Sequence, residues 1–204
     1  MSQNSSWWFR WRAEAIYVFL VPLGLLVVFS EPIVLNRHLD LVLTVLAWFF
    51  FLAGTSLRFW ALLYIGGRKR RALVDKGPYS ICRNPLYVGT FFLAIALCLL
   101  LKSILFAGGT LLASLVYVVS VVPTEEEYLQ QKLGEIYADY CRRVPRYLLS
   151  FSHYSAEESV EVQLKPVQRE FWRATLSTFW IPLAPPVFTY LQNCSWWPRI
   201  PAIW

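Results

Sequence analysis

The sequence is poor in the groups on which a water-soluble enzyme depends. Of its 204 residues only 16% are charged, whereas 57% are apolar, and the mean hydropathy is +0.45. That balance excludes an ordinary soluble domain and points to an integral membrane protein built as one domain or one bundle. Histidine occurs only as His38 and His153, and neither falls in a ligand-like cluster. Cys82, Cys98, Cys141 and Cys194 show no C-x-x-C spacing, so neither a zinc site nor a disulfide framework is expected. No G-x-G-x-x-G follows a strand-like run, which removes the soluble dinucleotide-type folds. No small-residue cleavage site follows the first apolar segment. The basic start from Met1 to Arg12 therefore reads as the flank of a retained span.

What is present is positive charge in blocks, with a net value of +6. Arg68-Lys69-Arg70-Arg71 with Lys76 and Arg83 forms one block, and Arg142, Arg143 and Arg146 form another. Beside apolar segments such blocks are topology determinants and headgroup contacts, not nucleic-acid surfaces. Ten tryptophans, several paired near the chain ends, fit interfacial aromatics.

The apolar runs predict an all-α, polytopic membrane helical bundle with about four transmembrane helices. Residues 13–30 form a first span and 41–65 a second, in which Arg58 is expected to snorkel to the interface in preference to entering a polar pocket. Runs 86–101 and 103–122, parted by Lys102 and Ser103, read as a tight helix hairpin. Gly108-Gly109 is expected to mark close helix approach. Pro123 should end the fourth run, and Thr124 should cap a polar cytoplasmic helix. By the positive-inside rule the N-terminus, the 66–85 segment and everything beyond 123 face the cytoplasm. Residues 1–150 are thus a transmembrane core with its site on the cytoplasmic side. Residues 151–204 form a C-terminal extension: 151–170 lies at the surface, and 171–191, with Arg173 and three prolines, is an interfacial or re-entrant segment and not a straight helix.

The chain is organised around Lys76 to Gly89, K-G-P-Y-S-I-C-R-N-P-L-Y-V-G. Pro85 suits the first turn of a helix and Asn84 its N-cap, so Tyr79, Arg83, Asn84 and Tyr87 should gather at a helix N-terminus that favours an anion. The hairpin should return Glu125, Glu126 and Glu127 to the same membrane face. Carboxylates opening a helix ordinarily serve its dipole, but here unpaired charge at the membrane is expensive, so Arg83 or Arg143 is expected to pair with one of them. Tyr128, Tyr137, Tyr140 and Tyr147 singly read as interfacial anchors. Together with Tyr79 and Tyr87 they offer faces for a flat heterocycle and a cationic sulfur or nitrogen.

G-P-Y-S-I-C-R-N-P-L-Y-V-G, followed about forty residues later by E-E-x-x-L-x-x-x-L-G-x-x-Y-x-x-Y-x-x-x-V-P-R, resembles the membrane methyltransferase superfamily of isoprenylcysteine carboxyl methyltransferases and phospholipid N-methyltransferases. The resemblance runs from about Arg58 to Arg146. It departs where the family usually has histidine, at Asn84, and phenylalanine, at Leu133. It implies S-adenosylmethionine bound at the cytoplasmic ends of the spans and a lipophilic methyl acceptor entering from membrane lipid: a phospholipid amine, a prenylcysteine-like carboxylate, or an apolar thiol or phenol. It also implies catalytic roles for Arg83, Glu125 and Glu126. Cofactor-binding roles fall to Tyr79, Asn84, Tyr87, Gly89, Glu126, Tyr137, Tyr140 and Arg143, with Leu129 and Gly134 in the second motif. Two other readings are an NADPH-dependent reductase of the sterol-reductase type, which shares an R-x-P-x-Y motif but lacks the glutamate pair, and a non-catalytic membrane scaffold.

Overall fold

A computed structural model of the chain describes residues 35–65, 73–152, 154–156 and 164–194. The expected first span, the Arg68–Arg71 run and much of 151–163 lie outside the described residues. Those described are helical, with no strand among them.

Helix α1, Arg37–Ile65, starts where Asn36 Oδ1 accepts the Leu39 amide at 2.9 Å, a side-chain cap that satisfies one of the helix's orphan donors. It packs antiparallel on α3, Pro85–Leu101, through two glycines. A Cβ on Gly54 would stand 2.8 Å from Gly89 O, and one on Gly89 would stand 2.9 Å from Gly54 O. Phe50 and Phe92 close the contact edge to face at 5.5 Å. Of the Gly108-Gly109 pair, Gly108 makes no close approach among the described residues, since a Cβ on it would meet nothing within 4 Å. A small residue marks a contact only where a partner helix faces it.

The hairpin forms as its two-residue break requires. Lys102 takes a left-handed conformation (φ 50°) at the end of α3, and Ser103 Oγ accepts the Phe106 amide at 3.3 Å to start α4, Ile104–Val116. Lys102 also pairs with Asp40 in the first turn of α1, tying the two helices at this end.

Pro123 does not end the fourth run. Helix α4 passes through a π-helical turn, Tyr117–Val121, into α5, Val122–Leu133. The Val122 amide reaches back to Tyr117 O, five residues away. In that register Pro123 would have to donate to Val118 O and has no N–H, and the Tyr147 hydroxyl lies 3.4 Å from that carbonyl instead. Thr124 is accordingly no cap: its hydroxyl donates to Ser120 O at 2.7 Å from inside the helix. The two glutamates therefore ride on the same continuous helix that carries the apolar run.

The tail forms one continuous helix, α7, Leu164–Asn193. It continues through Pro182, Pro185 and Pro186 and packs on α1 and α3, with Thr178 and Ile181 buried and Ala184 against Leu101. Packing on two neighbours offsets the hydrogen bonds that the prolines forgo, which an isolated segment would not manage.

Two helices, Arg37–Ile65 and Phe106–Leu133, are long and apolar enough to cross a membrane, and only 11% and 6% of their most apolar windows are buried within the chain. Side chains such as Val45, Phe49, Leu52, Leu111, Leu112 and Val119 are exposed along them. Apolar faces of that extent belong in lipid, so this is a membrane protein. Helix α3, at 17 residues, is apolar but shorter.

Candidate functional site

The first motif folds into a short helix, α2, Pro78–Ile81, followed by the corner at Cys82–Asn84. The chain after α6, Glu135–Arg143, is strapped along it. Arg83 N donates to Pro145 O at 2.9 Å, Ser150 N to Ile81 O at 3.1 Å, and Gly77 N to Ser155 O at 2.7 Å. The corner between α5 and α6 is Gly134 (φ 58°), a left-handed position that favours glycine. Beyond it α6 turns Tyr137 and Tyr140 inward while Ile136 stays exposed. The Tyr140 hydroxyl donates to Tyr79 O at 2.7 Å, which joins the two motifs below the site.

Glu126 is the centre of the cluster. It is buried, and its two oxygens are divided among three residues from two other segments. Oε1 accepts Asn84 Nδ2 at 3.1 Å and stands 3.6 Å from Arg83 Nε; Oε2 accepts Arg146 Nε at 3.0 Å and Nη2 at 2.6 Å. The 3.6 Å contact is an ion pair without a hydrogen bond, and Arg83 Nε is buried with no hydrogen-bond partner. Glu125 is held differently. The Tyr87 hydroxyl donates to its Oε2 at 2.5 Å, and Tyr87 packs edge to face on Tyr117 with centroids 5.1 Å apart. Glu126 is thus clamped, whereas Glu125 has oxygen capacity left over.

Beneath these charges the titratable groups are displaced in one direction. Burial raises the Tyr79 and Tyr140 phenols well above their ordinary range; burial and then the Glu126 charge raise Tyr137. Burial pushes the Cys82 thiol up to about 11, while the hydrogen bond to Glu126 raises Arg146. Above about pH 9 the folded chain keeps the Cys82 proton, and above about pH 10 the tyrosine protons, that the unfolded chain releases, so stability falls as pH rises through this window, by up to about 1.4 kcal/mol per pH unit for each of these groups. A thermal melt of the detergent-solubilised protein from pH 8 to pH 11 should show the midpoint dropping over that window, less steeply in Cys82→Ala. A flat profile would mean that these groups are not buried as described.

The expected residues divide into those brought together and those not. Arg83, Asn84, Tyr87, Glu125 and Glu126 converge, with Tyr79, Tyr137 and Tyr140 packed beneath. Asn84 sits at the N-cap position of α3 but makes no capping bond, because its side chain is engaged by Glu126 and, at 3.3 Å, by Arg146 O. Arg143 points away and lies 4.0 Å from Asp75 at a largely exposed edge, so Arg83 and not Arg143 meets a glutamate. Gly89 is occupied by the contact with Gly54 and Arg58. Arg146 received no individual role from sequence reasoning, although the V-P-R that closes the second motif contained the signal. Replacing Asn84 with histidine should be tolerated, since a ring N–H can replace the amide donor to Glu126. The variant should elute as a single species and melt within about 3 °C of the parent. Aggregation would show that the Arg146 carbonyl contact is indispensable.

Residues 39–136 match the phospholipid methyltransferase family. The chain is 36% identical over 112 residues to the cobalt-zinc-cadmium resistance protein CzcN of Cupriavidus metallidurans, covering 55% of this chain and 51% of that one. It is 37% identical, also over 112 residues, to the nickel-cobalt-cadmium resistance protein NccN of Alcaligenes xylosoxydans xylosoxydans, covering 55% and 52%. A third relative, protein-S-isoprenylcysteine O-methyltransferase B of Arabidopsis thaliana, is 31% identical over 93 residues, 46% of each chain. The chain spans about half the length of the curated relatives it matches. No solved structure matches it.

Proposed function

We propose, for a chain whose residues 39–136 belong to the membrane methyltransferase superfamily of phospholipid and isoprenylcysteine methyltransferases, that it transfers a methyl group from S-adenosylmethionine to a lipophilic acceptor at the cytoplasmic face of a multi-pass bundle. What supports this above all is the meeting of Arg83, Asn84 and Tyr87 with Glu125 and Glu126 across some forty residues of chain, at one end of the apolar helices. The positive-inside rule sets that end toward the cytoplasm.

The residues present fit the cofactor. Arg83 Nε and the Tyr79 hydroxyl are buried without hydrogen-bond partners, and two guanidinium groups share one carboxylate at Glu126. Arg83 and Arg146 would hold the cofactor's carboxylate, and Glu125 its amino group or sugar hydroxyls. When bound, S-adenosylmethionine supplies a methyl group on a cationic sulfur, which a nucleophile displaces in line. The chain's own task is to align the acceptor, exclude water and present tyrosine faces to the positive charge. For an amine acceptor, Glu125 would accept the proton that leaves nitrogen as the new carbon–nitrogen bond forms.

Incubating the purified protein with radiolabelled S-adenosylmethionine and a lipid extract should put label in the organic phase. Calorimetric titration should show S-adenosylmethionine binding and no NADPH binding; the reverse pattern would replace methyl transfer with a reductase.

A further inference from the structure

Tyr117 and Glu125 stand eight positions apart on the continuous helix that runs from α4 into α5. In an unbroken α-helix eight residues turn through about 800°, which would leave the two side chains about 80° apart. The π-turn, Tyr117–Val121, lies between them. It takes up one residue beyond the α-helical register, so the same stretch covers the rotation of about seven residues and brings the two side chains within about 20° of one face. On that face they are two turns apart, about 11 Å, too far for direct contact.

Tyr87, from α3, fills the gap. Its ring packs edge to face on Tyr117 with centroids 5.1 Å apart, and its hydroxyl donates to Glu125 Oε2 at 2.5 Å. A side-chain hydrogen bond also joins the two tyrosines. A phenol carries one proton, and that of Tyr87 is given to Glu125, so Tyr117 is the donor to the Tyr87 oxygen. The three side chains form one directed linkage, Tyr117 to Tyr87 to Glu125, in which each bond polarises the next. Both rings are half-buried, whereas Val119, in the same π-turn, is 71% exposed and takes no part. Pro123 accounts for the amide that the turn lacks, but not for which side chains the turn brings into line.

We propose that Tyr117 is a positioning residue: the π-turn sets it in line with Glu125, where it holds the Tyr87 hydroxyl on Oε2 and leaves Oε1 for the cofactor or the departing proton. The linkage is a property of the fold, and only its consequence for catalysis rests on the proposed methyl transfer.

Fluorotyrosine incorporated at position 87 of the full chain in detergent reads the linkage directly by fluorine NMR. The wild type should give one resonance, which moves in Glu125→Gln. Tyr117→Phe, which removes the donor and keeps the ring, should move it as well, and Tyr117→Leu should broaden or split it, while Val119→Ala leaves it in place. A resonance unmoved in Tyr117→Phe overturns the proposal, and that variant decides alone should Tyr117→Leu not fold. Label transfer from radiolabelled S-adenosylmethionine should fall about tenfold in Tyr117→Phe, with the melting midpoint within about 3 °C of the parent. In a Tyr87→Phe background the same substitution should cost nothing further, because the link through which Tyr117 acts is already gone. A full second loss there would mean that Tyr117 acts by another route, and overturns the proposal. If the resonance responds as described but the wild type transfers no label, the methyl-transfer reading ends and the linkage stands. If the wild type transfers label and Tyr117→Phe transfers it equally well, the positioning role ends and methyl transfer stands.

Discussion

Glu126→Ala is expected to destabilise the end of the helices that carries the glutamate cluster by about 3 kcal/mol, while Glu125→Gln costs little stability and removes most of the proposed methyl transfer. The two glutamates are neighbours in sequence but have different partners. Truncating Glu126 leaves Arg83 and Asn84 facing a cavity and frees Arg146, which breaks the carboxylate bridge between the first motif and the segment after α6. The cost stays near the lower end for a broken buried pair because the Arg146 side chain is 42% exposed and can turn to water. Glu125 loses only its charge in the glutamine variant, and the Tyr87 hydroxyl still has an amide oxygen to bind. Thermal melts and label incorporation, measured on both variants, check the pair. Equal destabilisation by the two substitutions would show that Glu126 is not the clamp.

The helices and the meeting of the two motifs were legible in the sequence because both follow from local rules. Apolar length sets the helices, a two-residue break sets the hairpin, and the hairpin must bring Glu125 and Glu126 back beside Arg83. What was not legible depended on partners distant in sequence. Asn84 followed by Pro85 has the form of an N-cap, yet a carboxylate and a carbonyl from other segments outcompete the local amide for its side chain, while Asn36 makes the cap bond at α1. Pro123 has the form of a stop, yet a π-turn and the Tyr147 hydroxyl carry the helix past it. Gly108 resembles a packing residue as closely as Gly54 does, and only the position of the neighbouring helix separates them. Arg143 and Arg146 sit three positions apart in the same basic block. The strap from Pro145 to Arg83 decides which of them reaches the glutamate.

Arg83→Lys should weaken S-adenosylmethionine binding about 10- to 100-fold with little change in melting temperature, whereas Arg146→Lys should lower the melting temperature more and affinity less. The difference comes from what each guanidinium is already doing. Arg146 spends two donors on Glu126 Oε2, at 3.0 and 2.6 Å, so its fork is structural, and a lysine would keep one of those bonds at best. Arg83 is 3.6 Å from the same carboxylate with a buried Nε that bonds to nothing, so its fork is held in place by charge yet open to a ligand. A lysine preserves the charge that keeps Glu126 neutralised and loses the planar pair of donors that a carboxylate of the cofactor would use. Calorimetry and thermal melts on the two variants provide both numbers for each. If Arg83→Lys binds the cofactor as the parent does, the unpartnered Nε is not the anion-binding group and the carboxylate must be sought at Arg146 alone.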